Sequence, residues 1–128
     1  MHVVEIGTFM AAPFATMQLA DLGAEVIKAE NLAGGDPVRQ TGPFLDGHSS
    51  PFVRLNRNKR SVALDLKTPE GKPLLESLLG TTDVLVENLR PGALTGLGFG
   101  YPAVHGVAAV LGKDRAKSAP DSARCGVR

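Results

Sequence analysis

The apolar positions of the chain fall into short β-branched runs separated by helix-length stretches. Val3, Val4 and Ile6 form the first run, stopped at Gly7, and read as a short buried strand. Residues 8–12 make a crossing loop, and Pro13 opens a helix over 13–22, because a proline at the first helical position lacks only an N–H that would be unpaired anyway. That helix sets Phe14, Met17 and Ala20 or Asp21 on successive turns, and Gly23 supplies a left-handed stop. A second strand follows at 25–28. A helix of this length between two such runs predicts a βαβ crossover and parallel neighbouring strands.

Residues 31–51 break the pattern. Glycine, proline, aspartate and serine dominate, with Gly34-Gly35-Asp36-Pro37 and Asp46-Gly47-His48-Ser49-Ser50 as turn signals, so a long irregular excursion is expected. A strand over 61–66 comes next. Thr68-Pro69-Glu70 then combines a side-chain cap, a first-turn proline and an acid at the positive end of a helix dipole, predicting a helix over 69–79. Leu74, Leu75, Leu78 and Leu79 would share its packing face, while Pro73, at the fifth helical position, would remove a hydrogen bond. A last strand spans 83–87. The fold class is therefore α/β, a Rossmann-like partial parallel sheet of about four strands.

In open parallel sheets ligands gather beyond the carboxyl ends of the strands. The loop after the first strand and Arg90-Pro91-Gly92 after the last are accordingly placed to meet one. Gly96-Leu97-Gly98-Phe99-Gly100 has the wrong spacing for a dinucleotide fingerprint and does not join a strand to a helix.

Composition narrows the picture. A chain of 128 residues has room for one domain, and a net charge of +1 gives no global case for a nucleic-acid or membrane partner. No apolar run is long enough to span a bilayer, and the start lacks the pattern of a secretion signal. The single cysteine, Cys125, excludes an intrachain disulfide, and His48 has no ligand-type neighbours at metal spacing. A cytoplasmic protein without a metal is expected.

Charge is concentrated locally. Arg54, Arg57, Lys59 and Arg60 fall within residues 54–60, read as a loop that would grip a polyanion beside the sheet, with Leu64 and Leu66 offering apolar surface to a flat ring. Two classes of ligand suit this arrangement. One is a phosphorylated cofactor; the other is a nucleotide or nucleic acid held by a stand-alone binding module. The lack of tryptophan and the single tyrosine, Tyr101, weaken the nucleic-acid case, since no aromatic stacking platform is interleaved with the cations.

Five ordered blocks together carry a resemblance. They are 3–30 with Leu22-Gly23-Ala24-Glu25-Val26-Ile27-Lys28, then Gly34-Gly35-Asp36-Pro37-Val38-Arg39, then 56–71, then 83–92 with Glu87-Asn88-Leu89-Arg90-Pro91-Gly92, and finally Leu97-Gly98-Phe99-Gly100-Tyr101. In this the chain resembles the family III coenzyme A transferases, which include formyl-CoA transferase, the carnitine CoA-transferases and alpha-methylacyl-CoA racemase. The resemblance implies an enzyme that moves CoA between an acyl-CoA and a carboxylic acid, or, in the racemase branch, inverts the carbon beside the thioester. CoA would be a substrate. Met10 and Ala11 match positions along the pantetheine arm, Arg39 one at the phosphate end, Leu64, Leu66 and Lys67 those around the adenine, and Arg90 one at the nucleotide.

The same resemblance places the catalytic aspartate of the transferase branch beyond the matched segment, so no catalytic residue is assigned to this chain and it is expected to be inactive alone. The likeness ends near Val104. Residues 1–104 are read as a partial family domain and 105–128 as a divergent tail, disordered from Lys113 onward, as if the reading frame broke near Val104; Asp114 and Asp121 lack the nucleophile's glycine-rich setting. Family members form interlocked homodimers. A chain of this length could not close such a ring and would leave apolar surface exposed.

Overall fold

The computed structural model describes residues 1–104 and, as backbone only, 109–111. In chain order the elements are β1 (His2–Ile6), α1 (Ala11–Asp21), β2 (Glu25–Glu30), a 3-10 turn (Pro37–Gln40), β3 (Phe44–Leu45), β4 (His48–Ser49), α2 (Ser50–Asn56), β5 (Lys59–Ala63), α3 (Gly71–Leu79), β6 (Val84–Glu87), α4 (Ala93–Gly96), α5 (Tyr101–Val104) and β7 (Ala109–Leu111). Five strands form one sheet in the order β5-β2-β1-β6-β7, every pair parallel. Beginning with β1 in the centre, the chain winds out to one edge and returns across it. This is the doubly wound order, with its reversal between β1 and β6.

Alternation along the strands sorts side chains into two cores. Val3, Val26 and Val86 face α1, where Ala12 and Ala20 complete one cluster. Val4, Ile6 and Leu85 face the opposite way, toward Leu75 and Leu79 of α3, Leu94 of α4 and Phe99. The α/β reading and the parallel sheet are as the sequence indicates. A fifth strand, β7, lies inside the segment 105–128 that was expected to diverge; the remainder of that segment, with Asp114, Asp121 and Cys125, lies outside the described residues.

Several local expectations are corrected. Helix α1 starts two residues early, so Pro13 is its third residue, still within the first turn where no hydrogen bond is lost. Its packing face is Ala12, Pro13, Thr16, Met17 and Ala20, and Phe14 turns to solvent because small side chains let the helix lie close to the sheet. Helix α3 begins at Gly71 rather than at Pro69. The Thr68 hydroxyl donates to the Asp65 carbonyl (2.9 Å) and accepts from the Gly71 N–H (3.1 Å), making 68–70 a turn ahead of the helix. Pro73 then falls at the third helical residue and breaks nothing, while Leu74 is exposed.

The excursion 31–51 is more ordered than its composition suggests. It holds the 3-10 turn, a small antiparallel β3–β4 hairpin and the start of α2. Ser49 accepts from the Phe52 N–H (3.3 Å) and Pro51 sits in the first turn, so a capped helix occupies 50–56. The stretch 54–60 is accordingly the end of a helix and the start of edge strand β5, not a loop. Strand β5 itself runs from Lys59 to Ala63, leaving Leu64 and Leu66 beyond its carboxyl end.

Candidate functional site

A cavity of about 230 Å³ opens at the carboxyl ends of β1, β2 and β5. Buried Ile6 and Leu64, with half-buried Ala29, Leu66, Leu89 and Leu97, make its apolar walls. Polar groups come from Thr8, Asn31, Asp65 and exposed Lys67. The Asp65 carboxylate accepts the Lys67 N–H (2.9 Å), a local turn that ends the extended chain beyond β5 and delivers the Lys67 side chain to the edge of the cavity. Beneath this turn lies Gly71, where a Cβ would collide with the Asp65 carbonyl.

On the other side of β1, where the strand order reverses, the loops after β1 and β6 are tied together. The Asn88 amide accepts from the Thr8 N–H (2.9 Å) and donates to the Thr8 carbonyl (2.8 Å), which ties the loop after β6 to the loop after β1. A side chain thus extends the pairing where the backbone ladder stops. The open space is displaced toward β2 and β5.

Directly below the loop after β1 is a buried charge cluster. Glu5 (0% exposed) accepts from Lys28 (2.5 Å), Lys59 (2.8 Å) and the Thr16 hydroxyl (2.5 Å). Lys28 (1% exposed) also donates to the Gly7 carbonyl (2.9 Å) and lies 3.0 Å from an Asp36 oxygen. Lys59 reaches on to the Pro13 carbonyl and the Asn56 amide oxygen. Burial pushes the Lys59 ammonium below its ordinary range, partly countered by Glu5.

A second pair closes the flank. Arg39 grips Glu30 through Nε (2.8 Å) and Nη2 (2.7 Å), and its guanidinium stacks 3.7 Å from the Phe52 ring centroid. Burial pushes the Glu30 carboxyl up, but Arg39, the Ser61 hydroxyl and the Asp36 N–H outweigh it and hold the group at about 2. Both Glu30 oxygens are occupied. In a dinucleotide fold an acid at this strand end would read a ribose; here it is spent on the protein.

The residues singled out from sequence therefore separate. Leu64, Leu66 and Lys67 come together in the cavity wall. Met10 and Ala11, the cap and first residue of α1, are exposed, and Arg90 is exposed after β6; none of the three lines the cavity. Arg39 is committed to Glu30. The cations of 54–60 do not converge: Arg57 pairs with Asp21, Lys59 is drawn under the sheet to Glu5, and Arg60, on the opposite face of β5, lines a different hollow with His2 and Thr81. Alternation along β5 puts Lys59 and Arg60 on opposite faces, so these two do not grip one ligand together. Glu5, Lys28 and Asp36 escaped notice, although a charge inside the β-branched runs of a doubly covered sheet has to be paired.

Residues 1–109 match the profile of CoA-transferase family III. Among similar proteins, the succinyl-CoA:glutarate CoA-transferase of Mus musculus is 42% identical over 109 residues, covering 84% of this chain and 25% of the relative. The succinyl-CoA–D-citramalate CoA-transferase of Chloroflexus aurantiacus is 43% identical over 106 residues, covering 82% and 26%. Among solved structures, a CaiB/BaiF family protein from Brucella suis superposes with a TM-score of 0.77 at 35% identity, over 84% of this chain and 30% of that one. The chain spans about a quarter of the length of the curated relatives it matches.

Proposed function

The chain belongs to CoA-transferase family III, and from that premise we propose that it is the CoA-binding amino-terminal part of an enzyme that moves CoA between an acyl-CoA and a carboxylic acid. The observation that carries this reading is the cavity at the ends of β1, β2 and β5, which joins apolar walls to a cationic edge. Leu64 and Leu66, with Ile6 and Ala29, suit a flat heterocycle. Lys67 reaches a phosphate beside it, and exposed Arg90 supplies a second cation from the loop after β6. Met10 and Ala11 flank the line an extended arm would take from the cavity across the top of the sheet. Arg39 contributes by anchoring the flanking loop through Glu30, and the part of its guanidinium left exposed is available to the phosphate end of the ligand.

Three relatives are named for succinyl-CoA paired with glutarate, D-citramalate or L-malate, so a short dicarboxylic acid is the acceptor class we assign to the intact enzyme. No residue of the cavity is assigned a covalent role. A nucleic-acid module built on 54–60 is disfavoured by the divergence of Arg57, Lys59 and Arg60.

Calorimetric titration of the chain with CoA tests the reading. Lys67→Ala and Arg90→Ala should each weaken binding about tenfold, the worth of one charge-assisted phosphate contact. Removal of the ligand's 3′-phosphate should have a similar effect. Affinity for CoA indifferent to both substitutions, or binding of single-stranded DNA with a steep salt dependence and none of CoA, would overturn it.

A further inference from the structure

Resting on the reading of the cavity as the ligand site, we propose that the buried Lys28–Asp36 ion pair is a positioning clamp that holds the loop after β1 in its ligand-receiving shape. Lys28 takes one end of that loop, donating to the Gly7 carbonyl at 2.9 Å. Asp36 takes the other, accepting the Phe9 N–H at 3.1 Å. The two side chains meet at 3.0 Å, below the segment they hold.

Three observations say that this loop needs holding. Phe9 has φ of 61°, in the left-handed region that a bulky side chain avoids, and its ring is 54% exposed, so no packing of its own keeps it there. Gly7 and Thr8 line the cavity on one side while Gly35 and Asp36 line it on another, so one ion pair sets the separation of two walls. Finally, the Asp36 oxygen nearest Lys28 has no aligned hydrogen bond, although it is buried. Its contact with Lys28 is charge against charge, while the other oxygen serves Phe9 and the Val38 N–H (3.0 Å).

Charge bookkeeping within the cluster supports a separate task for this pair. Lys28 pairs with both Glu5 and Asp36, but Glu5 has a second cation in Lys59, whereas Lys28 is the cation nearest Asp36, so removing Lys28 and Asp36 together leaves the charge of the cluster balanced. Such a buried pair adds little to stability over apolar side chains of the same size. Its distinguishing product is the geometry of the loop.

The test uses Asp36→Asn and the charge-balanced double variant Lys28→Met with Asp36→Asn, which keeps the Glu5–Lys59 pair and so leaves no unpaired charge in the cluster. Amide hydrogen exchange in the ligand-free protein should quicken about tenfold at Phe9 in both, while Val4 and Val86 in the central strands keep their wild-type protection. CoA affinity should fall about fivefold in the same variants. Unchanged exchange at Phe9 in the double variant overturns the clamp. Equal acceleration at Phe9, Val4 and Val86 reduces the pair to general stability and also overturns it, as does faster exchange with undiminished CoA affinity. If the wild-type chain fails to bind CoA, the reading of the cavity falls, and the exchange pattern alone decides whether the clamp exists.

Discussion

Two charge-rich regions of this molecule invite opposite conclusions when seen as sequence and when seen folded. Residues 54–60 are dense in cations and exposed for the most part, yet their side chains scatter to Asp21, to Glu5 and to the far face of the sheet. The cluster of Glu5, Lys28 and Asp36 is spread over 32 residues of sequence, and folding gathers it into one buried site under the cavity. Density along the chain is a poor guide to convergence in space. Strand alternation separates neighbours such as Lys59 and Arg60, whereas parallel pairing brings Glu5 level with Lys28.

The sharpest way to break this comparison is to remove one charge from each region. Lys28→Met leaves the Asp36 carboxylate buried without its cation and Glu5 with Lys59 alone, and should lower unfolding stability by about 3–5 kcal/mol, read as a fall in the denaturant midpoint. A midpoint near wild type would mean that water reaches the cluster.

Glu30 provides an intermediate case. Its carboxyl is held at about 2 in the fold against an ordinary value of 4.5, so the stabilisation it contributes is fully present above pH 4.5 and is lost as pH falls toward 2. Acid titration of stability should show on the order of 2 kcal/mol of loss across that window. Arg39→Met should flatten most of it.

At the weak end, Arg57→Ala removes an ion pair from Asp21 at the surface, where solvent screens the interaction. The denaturant midpoint and the affinity for CoA should both stay at their wild-type values. A loss of CoA binding would restore the basic stretch as part of the site.

Much of the architecture is legible in the chain because its signals are local. Val3, Val4 and Ile6, the α1 helix with Pro13 in its first turn, the stop at Gly23 and the run at 84–87 each depend on immediate neighbours, and the doubly wound sheet follows from their succession. The site is legible in part. Leu64, Leu66 and Lys67 share one turn after β5, so a single stretch places all three.

What escaped depends on contacts remote in sequence. Arg39 reads as a free loop cation until Glu30, nine positions earlier, is brought beside it by the 3-10 turn. Helix α2 carried its own signal in Ser49 and Pro51, masked by the turn-rich composition around them. Leu74 and Phe14 fit an apolar face by spacing, but the sheet accepts only the side of each helix that allows close approach.

The central claim is that CoA meets this chain at the ends of β1, β2 and β5 and not at the basic stretch. Amide chemical-shift mapping of the isotope-labelled chain on titration with CoA tests it most directly. The account predicts perturbations grouped at Gly7, Thr8, Asn31 and residues 64–67, with Arg54, Arg57 and Arg60 unmoved. Perturbations centred on those three arginines, with the cavity silent, would contradict it.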